Sequence, residues 1–291
     1  MRGRTLVDGG ASVAARAAKI TLVRHSLFGY LYRVTAPSRT RLAWWDLSEI
    51  ALAGFGFLLY FLVRGAVVDR SGDALDHARM IVDWQAAMGL FIEPRVQEWM
   101  LQSAGATRFF NFVYFWFDFP LIIGVGLVMF WRSRTHYTLL RDACLISGGF
   151  ALLLYWSFPV APPRFLTEWG MVDTLELYSN LSYQAQSMQP FVNPYAAVPS
   201  LHVGWAALLA ASVWLATPNP WARAGGVTVF LLQVISVVST GNHFLFDGLV
   251  GLVVCAPALA LALWLRGRGY PAIRDVLRRV MERSARPAPL P

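Results

Sequence analysis

Apolar residues gather in six long stretches, roughly 44–64, 109–131, 142–160, 200–216, 222–240 and 245–265, and the charged residues concentrate between and outside them. Stretches near twenty residues cross a hydrocarbon core of roughly 30 Å as α-helices, so the pattern predicts six transmembrane helices, the fourth being the shortest. The first stretch follows more than forty residues of mixed sequence without a small-residue cleavage site and is expected to be retained rather than removed as a signal peptide. Between the first two stretches, Leu90-Phe91 and Val96 through Trp99-Met100-Leu101 form an amphipathic pattern that predicts a helix at the membrane interface, shielding what lies beneath it. No period of twenty to fifty residues repeats, which disfavours a transporter built from inverted repeats.

Composition agrees with the pattern. Apolar residues make up 56% of the chain and the mean hydropathy is +0.48, values that do not describe a water-soluble globule. The expected fold class is all-α, a polytopic six-transmembrane-helix bundle over 44–266, with a basic N-terminal extension (1–43) and a basic tail (267–291) whose Arg-Pro-Ala-Pro end is expected to be disordered. Trp44-Trp45, Trp131 and Trp264 fall near span ends, where indoles anchor helices.

Charge sets the expected orientation, because Lys and Arg resist translocation. Arg2, Arg4, Arg16, Lys19, Arg24, Arg33, Arg39 and Arg41 precede the first span; Arg132, Arg134 and Arg141 lie between the second and third; Arg266, Arg268, Arg274, Arg278, Arg279, Arg283 and Arg286 follow the sixth. These regions are expected in the cytoplasm, with the loops 66–108 and 161–199 outside. The net charge of +8 therefore sits where anionic inner-leaflet lipids attract it and calls for no nucleic acid. Cys144 and Cys255 both fall within spans and read as reduced packing thiols.

Three polar clusters interrupt the apolar pattern on the expected outer side: Ala161-Pro162-Pro163-Arg164, Pro199-Ser200-Leu201-His202, and His243 with Asp247. The spacing of four places His243 and Asp247 on one helical face, where the carboxylate accepts the second imidazole N–H and leaves the other nitrogen nucleophilic. Ser200 and His202 open the fourth span, whose first-turn N–H groups make an anion site. Arg164, stiffened by two prolines, can grip phosphoryl oxygens with two parallel hydrogen bonds. Its ordinary alternative is headgroup anchoring.

Pro-Ser-Leu-His followed about forty residues later by His-x-x-x-Asp resembles the type 2 phosphatidic acid phosphatase superfamily. The longer strings Phe158 to Pro163, Asn193 to His202 and Thr240 to Asp247 resemble, more narrowly, its inositol phosphorylceramide synthase-like branch. The resemblance, spanning roughly 45–265, implies that His243 attacks phosphorus, Asp247 orients it and His202 protonates the leaving alcohol. It implies a membrane phospholipid or sphingolipid phosphoester as substrate, water or a hydroxyl as acceptor, and no metal or cofactor. Ser157 and Val237 stand where the superfamily carries Lys and Arg. Fewer cations weaken the grip on a dianionic phosphomonoester more than on a monoanionic phosphodiester, which favours a transferase.

Tyr195 and Asn242 border the histidines and are expected to help orient substrate. Asp118, in Phe117-Asp118-Phe119-Pro120, admits two readings: an intramembrane charge serving lipid transport, or the partner of an outer arginine. A scaffold with basic tails would leave the outer clusters unexplained. His25, His77 and His136 carry no motif and are expected at the surface.

Overall fold

The computed structural model describes residues 47–67, 69–178 and 193–285. The basic extension, Trp44-Trp45, His25 and the Arg-Pro-Ala-Pro end lie outside the described residues. Eleven α-helices and no strand occur among those described. In chain order they are α1 (Leu47–Val67), α2 (Ser71–Ala87), α3 (Glu93–Leu101), α4 (Ala104–Trp116), α5 (Phe119–Arg132), α6 (Arg134–Ser157), α7 (Thr174–Tyr178), α8 (Leu201–Ala216), α9 (Pro220–Ser239), α10 (Leu245–Trp264) and α11 (Tyr270–Ala285).

Two helix starts show why the boundaries fall where they do. Ser103 accepts a hydrogen bond from the Ala106 N–H at 3.3 Å and so caps α4. Asn219 accepts from Trp221 at 2.9 Å, ahead of a proline at the first helical position of α9. Among the described residues, helices cover most of each expected apolar stretch. Of these helices, α6, α9 and the one beginning at Leu245 are long and apolar enough to cross a membrane, and α4 with α5 makes a fourth if the bent pair is one span. Helix α8, with 16 residues, is shorter. Leu153, Leu231 and Val253 project from these helices with more than half of their surface uncovered, a lipid-facing arrangement that marks a membrane protein.

The second stretch departs from the single straight helix expected over 109–131. It breaks between Trp116 and Phe119 with a bend of 47°. Pro120 explains the break: its ring would strike the carbonyl of Trp116 and it has no N–H to bond it. The segment between the first two stretches also differs, holding two helices where one was expected; α2 and α3 are joined by a turn at Gly89, whose φ of 69° suits glycine.

Residues 49–262 form one compact unit. Its core has one apolar cluster where α2 meets Val160, Ala161, Val198 and Phe244, and another of Leu139, Leu140 and Ala143 with Leu208, Leu209 and Cys255. Cys144 and Cys255 are free thiols. Helices α8 and α10 meet through glycines: a Cβ on Gly251 would collide with the Ser200 carbonyl, and one on Gly204 would stand 3.0 Å from the Gly251 carbonyl. That close approach sets the first turn of α8 against the second turn of α10. The Trp205 indole N–H donates to Ser147 Oγ at 3.0 Å, and the Tyr155 hydroxyl donates to the Pro199 carbonyl at 2.9 Å, tying α6 to the same end.

Residues 1–48 and 263–291 belong to a second unit. Its described part includes α11, in which Ile273 and Val276 are exposed among arginines.

Candidate active site

Where α9 ends, Gly241 adopts a φ of 71° and reverses the chain. The N–H groups of Asn242 and His243 then both donate to the Val237 carbonyl, at 3.1 and 3.0 Å, so a tight turn fixes both residues before α10 begins. His243 is 5% exposed. Its Nδ1 lies 2.9 Å from the Ala197 carbonyl and 3.3 Å from Asp247 Oδ2. A ring nitrogen facing two acceptors carries the proton, which leaves the lone pair on Nε2.

The Ala197 carbonyl is itself held in place. Ala197 donates its N–H to the Val160 carbonyl at 3.2 Å, Val160 donates to Tyr195 at 3.0 Å, and Ala161 donates to the Ala74 carbonyl of α2 at 2.9 Å. The segments after α6 and before α8 thus pair, with an isolated parallel bridge between Val160 and Ala196.

Asp247 differs in detail from the expected helix-face pair. Helix α10 starts only at Leu245, so His243 precedes the helix and the two do not stack as successive turns. Asp247 Oδ2 accepts from the Phe244 N–H at 2.8 Å, serving the helix start, while Ala197 is the nearer acceptor for the imidazole. In the turn between the helices, burial pushes the His243 imidazole down to about 3; the Ala197 hydrogen bond pulls it back and the Arg164 charge pushes it the same way as burial.

Ser200 is completely buried, and its N–H donates to the Asp247 carbonyl at 2.9 Å, joining the starts of α8 and α10. Its Oγ has no hydrogen-bond partner among the described residues. Two residues on, the His202 ring centre lies 5.4 Å from that of His243. Tyr114 of α4 stacks on His202 at 4.3 Å, and His202 Nε2 is 3.4 Å from Asp118 Oδ2. Asp118 therefore faces a histidine rather than the outer arginine of one of its two expected readings, because the break after α4 aims it at α8.

Arg164 sits in a short 3-10 turn, Pro163–Phe165, and its N–H donates to the Gly241 carbonyl at 2.9 Å. Its guanidinium donates to Asn242 Oδ1, and its Nε is 3.2 Å from Asp173 Oδ2. Asn242 in turn donates to Thr240 Oγ1 at 2.8 Å. The three sequence clusters thus converge on one turn. Tyr195 stands further out, packed edge-on against Phe165 at 6.4 Å.

Three residues that sequence reasoning passed over complete the surroundings. Asp173 balances Arg164. Glu93 is fully buried and accepts from the Leu245 N–H at 2.8 Å and from Gln85 Nε2 at 2.6 Å. Gln85 accepts from the Phe246 N–H at 3.0 Å. Together with Asp247 they satisfy the exposed N–H groups that open α10. Nothing in the sequence distinguishes Glu93 from the solvated acids of its loop. His77 corrects another expectation: it is half-buried, with Nδ1 2.8 Å from the Pro159 carbonyl and its ring stacked on Phe158, so it braces the loop leading to Arg164. His136 is likewise half-buried, 2.7 Å from Ser133 Oγ.

A helical membrane bundle in which two imidazoles, a buried carboxylate and a guanidinium converge defines a class of site suited to phosphoryl groups. The chain belongs to the PAP2 superfamily, whose profile matches residues 79–261, more than half of its length. Members of that superfamily are phosphatases acting on phosphorylated lipid substrates, so an enzyme of phosphatase type is indicated. Comparison with curated proteins gave no significant match, and neither did comparison with solved structures.

Proposed function

We propose that this protein is a lipid phosphotransferase or phosphatase that works through a phosphohistidine on His243. The observation that carries the reading is the pair of imidazoles 5.4 Å apart, one of them buttressed on Nδ1 by the Ala197 carbonyl and Asp247. His243 Nε2 attacks phosphorus, the bond to the lipid alcohol breaks, and the departing oxygen takes its electron pair and a proton from His202. In the second half an acceptor hydroxyl attacks, His202 takes its proton, and the electron pair of the N–P bond returns to His243. Arg164, with Asn242 beside His243, balances charge on the equatorial oxygens.

The transferase form resembling inositol phosphorylceramide synthase is favoured over simple hydrolysis. Val237, standing where the superfamily has Arg, is buried and serves the turn through its carbonyl, and Arg164 has Asp173 as a counter-ion. The site's positive charge is therefore small, which suits a monoanionic phosphodiester. Water in place of the hydroxyl acceptor would make the same centre a phosphatase. On this reading the six spans are α1, the α4–α5 pair, α6, α8, α9 and α10, and the distribution of basic residues favours cytoplasmic termini with the site at the outer face.

The test supplies labelled phosphatidic acid or phosphatidylinositol to the detergent-purified protein, with and without alcohol acceptors, and compares His243→Ala with the parent. Turnover undiminished in the variant would end the mechanism.

A further inference from the structure

We propose that Asp118 is the positioning residue of His202, holding the imidazole by Nε2 so that Nδ1 hands the proton to the leaving alcohol. The inference rests on the functional reading above, in which His202 is the general acid.

Asp118 is a carboxylate with 6% of its surface exposed, set in a break between two apolar helices. A buried carboxylate is tolerated when it faces a cation or a set of donors. Asp118 occupies the N-cap position of α5, yet its side chain makes no capping hydrogen bond to the second or third helical N–H there, and its Oδ1 has no hydrogen-bond partner among the described residues. What it does face is the backbone N–H of Phe119 and, as its one charged partner among the described residues, His202 Nε2 at the ion-pair distance of 3.4 Å.

The helix break also places an aromatic ring on His202. Tyr114, one turn before Asp118, lays its ring on the same imidazole at 4.3 Å with the planes 19° apart. One element thus contributes both a flat wall and an edge-on carboxylate, and together they restrict the ring's tilt and its rotation. The other charged or titratable groups that face His202 are His243 and Arg164, neither of which can balance a positive imidazole. Asp118 is the counter-charge for the protonated form that an acid must carry.

In the forward step the proton leaves His202 as the phosphorus–oxygen bond breaks; in the return step an acceptor hydroxyl gives it back. Such help matters for an alkoxide, which is a poor leaving group, and little for p-nitrophenolate. The full-length protein in detergent is therefore given two long-chain alkyl phosphoesters, one releasing p-nitrophenolate and the other a primary alcohol, and kcat/KM is read for each.

Asp118→Asn is expected to lose about 10²-fold on the alkyl ester and less than about threefold on the nitrophenyl ester, with partial recovery in Asp118→Glu. An equal loss on both esters, or no loss on either, would overturn the inference while His243→Ala, inactive on both, kept the underlying reading intact. Turnover by His243→Ala would instead overturn that reading, and the inference with it.

Discussion

The two histidines sit in very different surroundings. His243 keeps 6% of its side chain exposed and is anchored by its backbone to Val237, by Nδ1 to Ala197, and by the capped start of α10. His202 keeps 22% of its side chain exposed and is held by one stacked ring and one carboxylate at 3.4 Å. The contrast matches the work proposed for each. A nucleophile gains from being fixed along the line of attack, since misplacement costs rate steeply. An acid that must serve first a departing alcohol and then an incoming hydroxyl needs an open side.

The sharpest way to break the comparison is to remove each ring in turn. His243→Ala is expected to lose at least about 10³-fold in turnover whatever the leaving group, whereas His202→Ala should lose about 10²-fold on an alkyl ester and far less on a nitrophenyl ester. Identical behaviour of the two variants would dissolve the distinction.

Next in size is the frame that brings the two corners together. Gly251→Ala forces a methyl group into the Ser200 carbonyl and should cost about 1–3 kcal/mol of stability with a matching loss of turnover. Gly149→Ala, where nothing lies within 4 Å, should leave thermal unfolding in detergent unchanged or slightly improved. Equal effects from both would show that the α8–α10 contact is not what holds the site.

A smaller change probes the nucleophile's corner alone. Glu93→Ala strips the acceptor from the Leu245 N–H and should destabilise the protein by about 1–3 kcal/mol. It should slow both ester types alike, unlike the selective effect expected of Asp118→Asn, and parallel kinetics on the two esters would check this.

The mildest test is pH. The folded protein holds His243 neutral down to about 3, against 6.5 for a free imidazole. Between those values the unfolded chain binds the extra proton, so the His243 contribution to stability is present above the unfolded value and falls as pH drops below about 6.5. Melting temperatures from pH 7 to 4 should therefore decline less in His243→Gln than in the parent. The nucleophile itself should stay deprotonated, and kcat/KM should show no acid limb from His243 near pH 6.5.

Much of this site was legible beforehand because its motifs are local. Pro199 to His202 and His243 to Asp247 each lie within five residues, and short-range spacing constrains what such residues can reach. The PAP2 superfamily could be read from the same strings. Less legible were the groups whose partners are distant in sequence: Glu93 meets Leu245 across 152 positions, Arg164 meets Asn242 across 78, and His77 meets Pro159 across 82. Asp118 stands out in the pattern as an acid within an apolar stretch, but the group it faces does not, because the turn forced by Pro120 cannot be given a direction from pattern alone.

Taken by itself, the order of apolar and polar residues determined that the chain is helical and suited to a bilayer, because burying twenty successive apolar side chains in lipid requires every backbone group to be bonded within its own segment. It also determined which polar residues interrupt that pattern. Tertiary structure decided which acceptor faces each imidazole, that Asp247 serves the start of α10 as well as His243, and that two glycines bring α8 and α10 into contact. Those outcomes depend on distances between segments far apart in the chain, and only packing sets them.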